Sequence, residues 1–145
     1  MARVIGIAEF FEEISKLKKP SEKVFALKNN DSIQMRIILQ GIYDPNVKAD
    51  LPEGAPPYTP NALLDQEHIL IKEVEKLRYY FSSFFPNLKQ SKRESMFVEL
   101  LERVTPKDAH MLIHNFKDKK PLKGITLEMV KEAYPGMIKD VEVKE

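Results

Sequence analysis

The sequence contains no cysteine, which excludes a disulfide framework, thiolate metal sites and a cysteine nucleophile. Its five glycines are scattered without G-x-G-x-x-G or P-loop spacing, so no glycine-rich phosphate loop is present. A surplus of one charge sign is missing too. Lys and Arg number 23 against 22 Asp and Glu, which rules out a histone-like polycation and leaves room only for a local basic face. Long apolar runs are absent: the longest mostly apolar charge-free run, residues 79–88, falls far short of the roughly 20 residues a membrane span needs. Glu9, Glu12 and Glu13 interrupt any signal-peptide core. Together these point to a soluble intracellular protein. What remains is a chain of 145 residues, 43% hydrophobic and 31% charged, enough for one globular domain.

Apolar residues recur at helical spacing through most of the chain. Ile7, Phe10, Phe11, Ile14 and Leu17 mark a first helix ending near Pro20. Ser21 caps a second carrying Val24, Phe25 and Leu27, and Asp31 caps a third with Ile33, Ile37, Ile38 and Ile42 inward up to Tyr43. Residues 45–60 then hold half of the ten prolines and read as an extended crossing segment with Leu51 and Tyr58 as anchors. A long helix restarts at Asn61 or Asp65, with Leu70, Val74, Leu77, Phe81 and Phe84 in one stripe and Tyr79 and Tyr80 outward. Phe85 is also read as core. Ser91 with Glu94, and Thr105 with Pro106 and Asp108, have the spacing of helix starts. The helices they open bury Phe97, Leu100, Leu101 and Val104, then Ala109, Leu112, Ile113 and Phe116. Thr126 caps the last helix, with Leu127, Val130 and Tyr134 inward. Strand alternation is missing; only residues 1–5 and 141–143 could pair marginally. The expectation is all-α: a single domain over residues 1–145, of about seven helices with a Pro-rich extended crossing segment.

Signals for catalysis are weak. His110 and His114 stand i,i+4 like half of a zincin motif, but Met111 occupies the place of the Glu base. The core residues Ala109, Leu112, Ile113 and Phe116 turn both histidines toward solvent. No metal, cofactor or catalytic residue is assigned. Basic residues offer more. Lys107, His110, His114 and Lys117 fall on one helix face. Behind them runs Lys117-Asp118-Lys119-Lys120-Pro121-Leu122-Lys123-Gly124, ahead of Thr126. Flexible cations, a glycine and a capped helix start make a phosphate cradle. Lys89, Lys92 and Arg93 surround another helix start, where the dipole disfavours cations, which hints at an anionic partner.

The strings Leu101-Glu102-Arg103-Val104-Thr105-Pro106-Lys107-Asp108-Ala109-His110-Met111-Leu112-Ile113, Lys119-Lys120-Pro121-Leu122-Lys123-Gly124-Ile125-Thr126 and Val130-Lys131-Glu132-Ala133 resemble the end of the N-terminal DNA-binding domain of ATP-dependent DNA ligases. Phe10-Phe11-Glu12-Glu13-Ile14, Ser21-Glu22-Lys23, Leu27-Lys28-Asn29-Asn30 and Ile37-Ile38-Leu39 resemble its start. No K-x-D-G nucleotidyltransferase motif occurs, so the likeness is to the clamp domain standing alone, which in ligases grips duplex DNA without reading sequence. The whole chain, including Leu51-Pro52-Glu53-Gly54-Ala55-Pro56-Pro57-Tyr58, also resembles a family of small tailed-phage proteins, which implies the cytoplasm of an infected bacterial cell. The resemblances and the basic loop together imply a non-enzymatic domain holding duplex DNA by its backbone. Its contacts would be Lys117, Lys119, Lys120, Lys123, Gly124 and Thr126, with Lys92 and Arg93 as a second set. As loop residues, Lys119, Lys120 and Lys123 are expected to contribute little to stability. The alternative is a protein-interaction adaptor, a virion component or a modulator of a host or phage enzyme, docking through the Pro-rich segment and Tyr58. No membrane role is implied.

Overall fold

A computed structural model describes residues 5–137 apart from 46, 53, 64 and 82–84. The expected pairing of the two chain ends and the expected place of Phe84 in the core lie outside the described residues. The helices run α1 (Ile7–Ser15), α2 (Pro20–Asn29), α3 (Ile33–Tyr43), α4 (His68–Glu73), a 3₁₀ helix (Val74–Tyr80), α5 (Gln90–Arg103), α6 (Pro106–Met111), a π-helical turn (Leu112–Lys117) and α7 (Leu127–Ala133). Among the described residues there is no strand. The fold is all-α, with one continuous buried core.

Local chemistry explains most helix starts. Thr105 accepts the Asp108 N–H at 3.1 Å with Pro106 in the first helical position, and Thr126 accepts the Met129 N–H at 3.2 Å. Such caps contribute about 1 kcal/mol each. Three starts differ from expectation. At α3 the cap is Ser32, whose hydroxyl accepts the Met35 N–H, because both Asp31 oxygens bind the Arg36 guanidinium at 2.7 Å. Helix α2 starts at Pro20 rather than after Ser21, and the Glu22 carboxylate accepts the Lys19 N–H. Helix α5 starts at Gln90, not after Ser91, and the Gln90 side chain donates to the Asp50 carbonyl.

The expected long helix of the second half is a short α-helix that tightens into 3₁₀ winding. In a 3₁₀ helix side chains three apart eclipse, and Val74, Leu77 and Tyr80 are all buried. That winding takes Tyr80 into the core, edge-on to Phe97 at 5.4 Å, instead of out to solvent. Phe85, expected inside, is exposed and packs on Tyr79. Leu17, Phe25 and Ile33 also depart from expectation: each faces solvent, Phe25 at 65% and Ile33 at 60% exposure. Helices α1 and α2 are too short to bury more than one narrow stripe each, Ile7, Phe11 and Ile14 in the first and Val24 and Leu27 in the second.

The Pro-rich segment lies along the helical body. Val47 and Ala49 are buried, and Leu51 and Tyr58 pack against the core. Backbone bonds fix its course: Asp50 N–H to the Tyr80 carbonyl at 2.7 Å, and Thr59 N–H to the Glu102 carboxylate at 2.9 Å. Elsewhere tyrosine hydroxyls tie distant helices. Tyr134 OH donates to the Leu27 carbonyl, joining the end of α7 to α2, and Tyr43 OH donates to Ile125 while accepting the Leu122 N–H. Burial raises the Tyr43 phenol to about 12, so it remains a donor at any ordinary pH.

Two features of the core are testable. A Cβ on Gly41 would fall 2.2 Å from the buried Phe116 ring, so Gly41→Ala is expected to destabilise by about 1–3 kcal/mol, although alanine is the better helix former by about 1 kcal/mol. A neutral or stabilising result in urea denaturation would contradict this packing. Asp108, fully buried, accepts the Ala8 N–H at 2.9 Å and so caps α1 from α6, while its Oδ2 has no partner among the described residues. Burial raises its pKa above the ordinary carboxylate value. With the folded value above the unfolded one, the group's stabilisation is complete at low pH and is lost as pH rises through the folded value. Asp108→Asn retains the acceptor and does not titrate. Relative to Asp108→Asn, the wild type should therefore lose stability as pH rises above about 4; a pH-independent difference in denaturation midpoints would refute the assignment.

Candidate functional site

The π turn decides which lysines reach the surface. Asp118 N–H bonds the Ile113 carbonyl, five residues back, and Lys120 N–H bonds His114. The first of these, five residues back, takes one more residue per turn than an α-helix does, so the last residues lag in rotation, and the second, six residues back, ties down the start of the loop. Lys117 therefore leaves the face shared by Lys107, His110 and His114. It is 2% exposed, and its ammonium donates to the Pro52 carbonyl at 2.8 Å and to Asp118 at 2.5 Å.

Lys119 turns inward as well. At φ 56 it adopts a left-handed backbone, and its ammonium donates to the carbonyls of Gly41 and Asp44 at 2.7 Å and of Val47 at 2.6 Å. Burial pulls its pKa down to about 8. Three carbonyl acceptors match the three donors of an ammonium, so the group is charged and fully engaged at neutral pH. Arg93 is also 2% exposed. Its guanidinium donates to the carbonyls of Tyr79 and Phe85 and to the Gln90 side chain. Lys117 and Arg93 are thus buried cations and Lys119 a half-buried one, each with its charged end turned to backbone carbonyls and not outward as the phosphate-contacting expectation had it.

Lys92, Lys120, Lys123, Gly124 and Thr126 are exposed. Lys92 stands on the first turn of α5, whose neighbour Arg93 packs toward Tyr79 and Phe85, not toward the lysine loop. Lys120 and Lys123 instead gain partners that sequence reasoning missed. Lys23, 101 positions away, donates to the Gly124 carbonyl at 2.7 Å. Gly124 has φ 75, and a Cβ there would stand 3.1 Å from Ser15. The loop is thereby seated against the α1–α2 turn, whose Lys16, Lys18 and Lys19 are exposed. The segment that carries Lys16, Lys18, Lys19 and Lys23 thus meets the loop that carries Lys120 and Lys123 at Gly124, and we call these six lysines the basic ridge. A signal existed, three lysines in four residues ahead of Pro20, but only the fold brings that turn to Gly124.

Beside the ridge a groove of about 290 Å³ runs between α1 and α6. Ala8, Phe11, Met111 and Leu122 form its apolar floor, and Ser15, Asn115, His110 and Lys123 its polar rim. Lys107 and Glu12 also line it, joined by an ion pair of 2.8 Å that holds the Glu12 carboxyl below its ordinary value. Asn115 donates to the carbonyls of Lys120 and Pro121, which fixes the loop at the groove's end. His110 and His114 stack with ring centroids 4.2 Å apart, and burial, then the charge of His110, lowers the pKa of His114. Asp108 does not join them, since its carboxylate is directed to α1, and among the described residues no three His, Asp or Glu side chains are placed to share a metal ion.

A family model spans α1 to the lysine loop, matching residues 10–123. The chain belongs to DUF6433, a family of unknown function. Neither a curated protein nor a solved structure matches the chain. The DUF6433 match takes in Lys16 to Lys23 and Lys107 to Lys123, whereas Gly124, Thr126 and α7 lie beyond it. The family carries no activity to transfer, and the likeness to the ligase clamp rests on helix pattern alone.

The internal role of Lys119 separates it from its neighbour. Lys119→Ala leaves three carbonyls without their donor and should cost about 2–4 kcal/mol, while Lys120→Ala should stay within about 0.5 kcal/mol. Lys119→Gly relieves the left-handed backbone and still loses the ammonium, so it too should destabilise. Equal thermal midpoints for the Lys119 and Lys120 variants would show that the ammonium braces nothing.

Proposed function

We propose that the chain is a non-enzymatic module that holds duplex DNA by its phosphate backbone, without sequence readout, in a phage-infected bacterial cell. The observation that supports this reading is the bond from Lys23 to the Gly124 carbonyl, which joins the segments that carry two lysine clusters distant in sequence. A polyanion meeting that face releases condensed counterions in proportion to the phosphates neutralised. The ridge is built of lysines, which act as point charges on flexible stems, whereas base edges are read by planar, bidentate donors such as arginine. Arg36 and Arg103 are engaged by Asp31 and Glu73, and Arg93 is internal. The tailed-phage and ligase-clamp resemblances favour the same reading.

A second reading, a protein-interaction adaptor, virion component or enzyme modulator, is favoured by the exposed Phe25 and Ile33. It no longer gains from the Pro-rich strip, since Leu51 and Tyr58 pack on the core. The two readings separate in a mobility-shift series on intact, nicked and single-stranded DNA across a salt range. The DNA reading expects binding at low salt, with the double-logarithmic salt slope shrinking by about 0.9 for each phosphate that a variant no longer neutralises. Lys16→Ala/Lys18→Ala and Lys120→Ala/Lys123→Ala should each flatten the slope and weaken all duplex sequences alike. Absence of binding at low salt, or unchanged slopes in both variants, would leave the adaptor reading.

A further inference from the structure

His110 and His114 have no part in the backbone grip as described, yet they sit at its edge. His110 lines the groove with Lys123, and the carbonyl of His114 accepts the Lys120 N–H. Their rings touch, with centroids 4.2 Å apart and planes at 47°, so two protons on the pair repel each other. At His114 the charges of Lys120 and Lys117 act in the same direction as that repulsion and the charge of Asp118 against it. Lining the groove with His110 are Lys107, one turn earlier on α6, and Glu12 and Lys123, while His114 feels the charges of Asp118, Lys120 and Lys117. Both carboxylates are already bound, Glu12 by Lys107 and Asp118 by Lys117. The pair therefore sits in a field of lysines whose nearby counter-charges are engaged. An anion laid across the two rings reverses the balance, since a doubly protonated pair offers it two charge-assisted donors.

We propose that His110 and His114 form a proton-linked phosphate contact, on which a phosphodiester of the bound duplex lies across both rings and draws protons onto them. This rests on the DNA reading above and adds to it a specific subsite and a pH dependence. Burial and the neighbouring charge of His110 already favour the neutral form of His114 in the free protein, so protonation accompanies binding. A phosphodiester carries no proton of its own to give at neutral pH. By linkage, affinity rises about tenfold per pH unit for each proton taken up.

The test uses the full chain and one fluorescent duplex, with anisotropy titrations from about pH 7.5 to about pH 5.5, where histidine titrates, at constant ionic strength. The wild type is expected to bind progressively tighter as pH falls, and His110→Gln/His114→Gln to lose that dependence, with a salt slope like the wild type's at about pH 7.5 and one smaller by about 0.9 at about pH 5.5, where the lost contact would neutralise a phosphate. His68→Gln, on α4, should behave as wild type. His110→Gln alone, at an exposed position, should lose part of the dependence and serves if the double variant misfolds. Binding with the same pH dependence in wild type and variants, or none in the wild type, overturns the subsite and leaves the backbone grip standing. No binding at any pH overturns both.

Discussion

The lysine loop and the end of α3 are joined by one half-buried ammonium. Lys119 closes the C-terminal end of α3 through the carbonyls of Gly41 and Asp44, and it takes in Val47 at the entry to the Pro-rich crossing. A helix end leaves its last carbonyls without intrahelical partners, and a cation there also meets the negative end of the helix dipole. The left-handed backbone at Lys119 costs roughly 1–2 kcal/mol, which its three short hydrogen bonds offset. Because Lys119 points inward, Lys120 and Lys123 remain on the outside of a loop that Tyr43 and Asn115 further immobilise. The lysine loop is therefore a braced element, and its outward cations are held ready without further loss of chain entropy.

What was legible in the sequence was what local chemistry decides. The Thr105 and Thr126 caps, the inward faces of α5 and α7 and the anchoring of Leu51 and Tyr58 follow from residue types and spacing within a few positions. Two period changes hid the rest. The 3₁₀ winding moved Tyr80 inward because the apolar spacing 74, 77, 80 fits a three-residue repeat as well as a helical one. The π turn rotated Lys117 off a face on which α-helical spacing had placed it. No local feature separates Lys119 from Lys120, since the acceptors that distinguish them are carbonyls more than 70 positions away. Arg93 was misread for the same reason, as its partners Tyr79 and Phe85 are set by the 3₁₀ helix and the turn after it.

A net charge of +1 and a basic ridge are compatible because many acids are engaged elsewhere. Asp31 is bound by Arg36, Glu73 by Arg103 and Lys76, and Glu12 by Lys107. Exposed pairs of this kind contribute little stability, but they cancel charge locally, so a near-zero total leaves room for a lysine-rich stretch where the α1–α2 turn meets the Gly124 loop. Overall charge balance is thus a poor guide to a surface potential that tertiary contacts assemble.

The central claim is that residues from opposite ends of the chain act as one DNA-contacting face. Backbone amide chemical shifts followed by NMR during titration with a short duplex at low salt test it most directly. The account predicts that residues 16–23 and 120–124 shift together, along one binding curve. Shifts confined to the surroundings of Phe25 and Ile33, or two clusters that respond at different DNA concentrations, would contradict it.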